Sequence, residues 1–176
     1  MACLLSLGMQ AQSVFRFAQL TDLHLSPNNP NPTEDLLRSV AQINATDNID
    51  FVLVTGDITE EGDRASMEKV KSCLDLLKVK YYVALGNHET KWSDSGCTAF
   101  GEIFGSERFE FEHKGFLFLG FNSGPLMRMA YGHVVPQDIR WMTERMEQAG
   151  KDKPVVLVSH YPMKEGDVDN WYEVTD

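Results

Sequence analysis

The chain has 176 residues, 43% hydrophobic and 24% charged, and its 16 basic against 26 acidic side chains give a formal charge of −10. That length fits one domain with a proper hydrophobic core, and an acidic balance with no basic stripe excludes a general nucleic-acid binder. An acidic protein that handles phosphates needs a local source of positive charge, and bound metal is the obvious one.

Along the chain, MACLLSLGMQAQS comes first. It is mostly apolar from Ala2 to Met9 and reaches the small residue Ala11, but has no basic front end. Residues 1–12 read as the tail of a trimmed secretory signal, far too short to span a bilayer. That implies a periplasmic or secreted protein with one domain over 13–176, or a cytoplasmic one if the segment is an ordinary terminus. Cys3 leaves with such a leader. Of the two cysteines left, Cys73 shares a helical face with Val70, Leu74 and Leu77, so a buried free thiol is expected rather than a disulfide.

Apolar runs at 15–20, 51–55, 81–85 and 155–159, rich in Val, Phe, Tyr and Leu, predict strands buried on both faces. Between the first three lie two amphipathic stretches. TEDLLRSVAQINA (33–45) places apolar residues at 36, 37, 40 and 43, with Thr33 as the expected cap. Residues 63–78 repeat the pattern through Met67, Val70, Leu74 and Leu77, with Asp63 as cap. The order β-α-β-α-β predicts parallel strands. RFEFEHKGFLFLGFNS (108–123) alternates and then turns at Lys-Gly, which predicts a hairpin and hence a mixed sheet or two sheets. Pro136 opens a third helix over 137–148, which Gly150 closes. The final stretch, KEGDVDNWYEVTD, reads as acidic loop.

The ends of the four runs matter most. The first delivers Asp22 and His24, the second Asp57, the third Asn87, His88 and Glu89, the fourth His160. In open α/β sheets that edge is where ligands bind. Asp22 and His24, two apart, point to the same side of an extended chain, while Gly56 and Gly86 let the backbone turn sharply. Taken singly, each acid is as well explained by a turn; four strand ends carrying ligand types are not. Carboxylate, imidazole and amide oxygen form a mixed set suited to iron, manganese or zinc. Asp57 can bridge two ions, with Asp22 and His24 on one and Asn87 and His160 on the other. Two such ions hold a hydroxide and clamp phosphate oxygens.

TDLHL, TGDIT, LGNHE and VSHYP, in that order, resemble the motifs of the calcineurin-like metallophosphoesterases. The likeness implies an α/β fold of two mixed β-sheets sandwiched by helices. It also implies two divalent or trivalent metal ions (Mn, Fe or Zn) on Asp22, His24, Asp57, Asn87 and His160. His88 then protonates the leaving oxygen, and Glu89 orients or polarises that imidazole. The implied activity is metal-dependent hydrolysis of a phosphomonoester or phosphodiester, with a phosphorylated small molecule or phosphodiester as substrate. Glu60 and Glu61 stand where protein phosphatases carry Asp-Arg, and Glu60 stands where purple acid phosphatases carry a tyrosine, so the phosphodiesterase-type branch is favoured.

The family's closing Gly-His-x-His is absent, which leads to the expectation of a chain incomplete at its carboxyl end. The alternative is a non-catalytic scaffold that keeps the fold. His133 and His113 read as surface rather than ligands. Lys91, Trp92 and Arg128 are exposed residues in loops of the kind that build substrate pockets. No amphipathic helix is strongly basic, so a membrane-surface role finds little support.

Overall fold

The structure, a computed structural model, describes residues 14–125, 131–163 and 174. The leader expected over 1–12, Cys3 and Arg128 lie outside the described residues.

Strands β1 (Phe17–Leu20), β2 (Phe51–Thr55) and β3 (Lys80–Ala84) form a sheet in that order, parallel throughout. Central β2 is buried along its whole length, whereas β1, at an edge, is half-buried at alternate residues and exposed at the others, not buried on both faces. The helices between them are α1 (Asn31–Ala45) and α2 (Arg64–Leu74). Asp63 caps α2 as expected, accepting the Ser66 N–H at 2.9 Å. Thr33 does not cap α1. That helix begins two residues earlier, after Pro30 and with Pro32 in its first turn, where a missing N–H costs nothing.

The second sheet joins β4 (Phe109–His113), β5 (Phe116–Gly120) and β6 (Val155–Val158). β4 and β5 pair antiparallel across Lys114-Gly115, whose φ values of 45° and 90° suit a two-residue hairpin turn, and β6 lies parallel to β5. Helix α5 (Pro136–Ala149) connects β5 to β6. Two short helices, α3 (Asn87–Lys91) and α4 (Thr98–Phe104), separate the two halves of the chain.

Alternation along β2 decides the layering. Val52 and Val54 face a core built with Leu36 and Val40 of α1, Met67, Val70 and Leu74 of α2, and Phe100 of α4. Phe51 and Leu53 face the other way, into an aromatic layer with Phe118 and Val158 of the second sheet. There Phe111 and Phe118 stack at 4.6 Å, and Tyr82 stacks on Phe111 at 3.8 Å between ring centroids. Leu117 and Leu119 turn outward onto Met142 of α5. The order is therefore helices, sheet, sheet, helix, the sandwich the sequence implied.

His113 is not a surface residue. Its ring meets Phe15 and Phe51 edge-on, and Nε2 lies 3.2 Å from Asp50, so it belongs to the seam between the sheets. Cys73 and Cys97 are both buried free thiols. Burial, helped by Glu107 and Glu89, pushes the Cys97 thiol up to about 12. Among the described residues, no helix is long and apolar enough to cross a membrane.

Candidate metal centre

The loop after β1 runs alongside the loop after β2. The N–H groups of Asp22, His24 and Leu25 donate to the carbonyls of Gly56, Asp57 and Ile58 at 3.1, 3.0 and 3.1 Å. Asp22 and His24 are thereby delivered beside Asp57, but not as neighbours on an extended chain. Asp22, His24 and Asp57 have φ of 53°, 46° and 50°, in the left-handed region. Such backbone costs of order 1–3 kcal/mol per residue and persists because the surrounding bonds fix it.

The two glycines play different parts. Gly56 has φ of 101° and does make a turn that other residues adopt only with strain. Gly86, with φ −110°, does not. It is needed for space: a Cβ there would sit 2.1 Å from both the nitrogen and Oδ1 of Asp57. Asn87 and His88 then open α3, so the GNHE run is the start of a short helix rather than a loop.

Around the buried Asp57 carboxylate three imidazoles converge. Its Oδ2 lies 3.3 Å from Nε2 of His160, 3.8 Å from Nε2 of His88 and 4.0 Å from Nε2 of His24. Its Oδ1 accepts the His88 N–H at 2.9 Å. Asp22 Oδ1 stands 3.8 Å from His24 Nε2, and Asn87 Oδ1 stands 3.1 Å from His160 Nε2. The structure thus brings all six side chains, Asp22, His24, Asp57, Asn87, His88 and His160, into one cluster. Asp22, His24 and Asp57 offer ligand atoms close enough to share a cation, and so do His24, Glu60 and His88. Two acids, three imidazoles and an amide oxygen form a mixed nitrogen and oxygen donor set whose chemistry fits a bound metal cation.

Glu89 is elsewhere. Its fully buried carboxylate accepts from the N–H and hydroxyl of Thr59 at 2.9 and 2.8 Å and from the N–H of Gly86 at 3.0 Å. It does not orient the His88 ring, as the sequence led us to expect; it ties the loop after β2 to the loop after β3. The His88 ring is held instead by the main-chain oxygen of Glu60, on Nδ1. That contact has no signal in sequence, because any residue supplies a carbonyl.

Charge and burial act in opposition here. Burial pushes the Asp57 carboxyl up, but the hydrogen bond and charge of His160, aided by His88, outweigh it and hold it below the ordinary range. Burial pulls His160 down, and Asp57 and the Thr55 carbonyl more than restore it, leaving it raised. Glu89 is raised by burial, against the bonds it accepts.

A cavity of about 780 Å³ lies beside the cluster, lined by Glu60, Asp63, Arg64, Asn87, His88, Lys91 and Trp92 among others. Lys91 Nζ lies 5.0 Å from the exposed Trp92 ring. A larger cavity of about 880 Å³, also bordered by Lys91, contains His133 and none of the clustered side chains. His133 is half-buried there and held away from the cluster.

Residues 15–176 match the model of the calcineurin-like phosphoesterases, and the chain belongs to that family. It is similar to a 3',5'-cyclic-nucleotide phosphodiesterase of Nostoc sp., at 23% identity over 83% of this chain and 56% of the relative. A probable cyclic nucleotide phosphodiesterase of Coxiella burnetii is 23% identical over 84% of this chain and 60% of its own length. A probable glycerophosphodiester phosphodiesterase of Arcobacter nitrofigilis is 26% identical over 66% of this chain and 44% of its own length. The chain spans about half the length of these curated relatives.

Proposed function

We propose that this protein hydrolyses phosphoric ester bonds, with phosphodiesters as the substrate class. The reading rests on a centre of two metal ions, manganese, iron or zinc, held by Asp22, His24, Asp57, Asn87 and His160. The observation that carries it is the convergence of three Nε2 atoms on one carboxylate oxygen of Asp57, 3.3–4.0 Å away. The preference for diesters draws on the names of the relatives, three of them phosphodiesterases.

A metal pair, when bound, supplies an activated water and positive charge for phosphate oxygens. The protein's own side chains do the rest. Asp57 stays ionised because His160 and His88 favour its charged form, and with Asp22, His24, Asn87 and His160 it would hold the metal. His88 faces the same point with Nε2 while its Nδ1 is tethered to the Glu60 carbonyl. Such a ring can carry a proton to the departing alkoxide at a fixed position. The adjoining cavity gives the ester room, with Lys91 and Arg64 as its nearby cations.

The test is hydrolysis of bis(p-nitrophenyl) phosphate and p-nitrophenyl phosphate by protein loaded in turn with Mn²⁺, Fe²⁺ and Zn²⁺. Turnover that vanishes on chelation and returns on reloading is expected. Inactivity with both esters under all three metals, in a preparation shown to be folded, rejects the proposal.

A further inference from the structure

We infer that Glu60 is a positioning residue that fixes which nitrogen of His24 faces the centre, as its own main chain does for His88. The inference concerns the same cluster and rests on the metal-centre reading above. Each of the three imidazoles around Asp57 has its second nitrogen accounted for differently. His160 Nδ1 meets the Thr55 carbonyl at 2.8 Å, and His88 Nδ1 meets the Glu60 carbonyl. A carbonyl oxygen only accepts, so in both rings Nδ1 carries a hydrogen, and Nε2 is the nitrogen turned toward Asp57.

His24 has no such carbonyl. Its Nδ1 is buried and lacks a partner in full hydrogen-bond geometry, yet it lies 3.1 Å from Glu60 Oε2. A buried ring nitrogen left unpaired is costly. Glu60 is half-exposed, so a small rotation of its carboxylate completes the bond without disturbing the loop. The carboxylate then selects the Nδ1–H form of His24, leaving Nε2, 3.8 Å from Asp22 Oδ1 and 4.0 Å from Asp57 Oδ2, free to bind a cation. One residue therefore sets two rings, one through its side chain and one through its backbone. The Glu60 carbonyl reaches His88 whatever the side chain is; the carboxylate is what position 60 contributes specifically.

The experiment reads the ring tautomers directly, by two-bond ¹H–¹⁵N NMR of the histidines in metal-free protein, for the wild type, Glu60→Ala and Glu60→Gln. In the wild type His24 is expected in the Nδ1–H form. In Glu60→Ala it should shift toward Nε2–H while His88 and His160 stay unchanged, and Zn²⁺ affinity by calorimetry should fall ten- to a hundredfold. Glu60→Gln, whose amide oxygen still accepts, should restore most of both. An unchanged His24 tautomer in Glu60→Ala overturns the inference, as does an equal loss of Zn²⁺ affinity in Glu60→Gln. Should Glu60→Ala fail to fold, the wild-type spectrum decides: His24 in the Nε2–H form rejects the inference. The tautomer needs no metal, so absence of Zn²⁺ binding by the wild type would count against the proposed function alone.

Discussion

The two sheets are the same size and share one aromatic interface, yet they divide the work unequally. The first delivers Asp22, His24, Asp57, Asn87 and His88 from the carboxyl ends of its three parallel strands; the second delivers only His160, from the end of β6, which also runs parallel to its neighbour. Among the described residues, the antiparallel hairpin β4–β5 gives no member of the cluster. Its inward face is Phe109, Phe111, Phe116 and Phe118. Chemistry thus gathers where parallel strands end together, since their loops emerge on one side and are pinned by neighbouring backbone. A hairpin sends its successive loops to opposite ends, and here it serves as the wall against which the first sheet is pressed.

That division can be broken from either side. The largest effect is expected from His88→Ala, which should lower kcat by about 10²–10⁴-fold while Zn²⁺ titration and the denaturation midpoint stay near wild type. Phe118→Ala acts on the other half. Phe118 is fully buried against Phe51 and Phe111, so its removal should cost about 3–5 kcal/mol in urea denaturation. Below the midpoint, metal affinity should be unchanged. Glu89→Ala tests whether the site half has a strap of its own. It strands three buried donors, from Thr59 and Gly86, at a cost of about 3 kcal/mol. Unlike Phe118→Ala it should also weaken Zn²⁺ binding, because the two tied loops carry Asp57 and Asn87.

The smallest effect lies at the seam. The Arg16 N–H and the ammonium of Lys114 hold the Asp50 carboxyl below its ordinary value of 3.8, with His113 adding to the pull. A depressed carboxyl contributes stability that is complete above the ordinary value and is lost as pH falls through the folded one. Asp50→Asn should therefore lose this small increment at neutrality and flatten the pH dependence of unfolding below about pH 4, where wild type and variant converge.

Much of this was legible beforehand because the runs are periodic. β2 and β6 have almost the bounds that their apolar residues define, and the Lys-Gly turn marks the hairpin without ambiguity. The members of the cluster were legible too, as ligand types at four strand ends. Their geometry was not. Left-handed φ at an Asp or a His has no local signature, so the two-residue spacing of Asp22 and His24 reads as extended chain in the sequence. Helix α3 escaped notice because it has only five residues and no apolar stripe. Glu89 was misjudged by adjacency: it follows His88 in sequence, but one residue along a helix turns a side chain about 100° away. Glu60 stands out in the sequence only as a departure from other motifs, though its main-chain oxygen makes the bond to His88 that the sequence assigns to Glu89.

The twist of the main chain at His24 restricts what could ever replace it. A φ of 46° is comfortable for glycine, passable for asparagine and aspartate, and hostile to valine or isoleucine. Attempts to vary this position, by selection or by design, should therefore find asparagine and aspartate accepted and β-branched side chains purged whatever their chemistry. The menu at 24 is written by the peptide backbone before side-chain chemistry has a say.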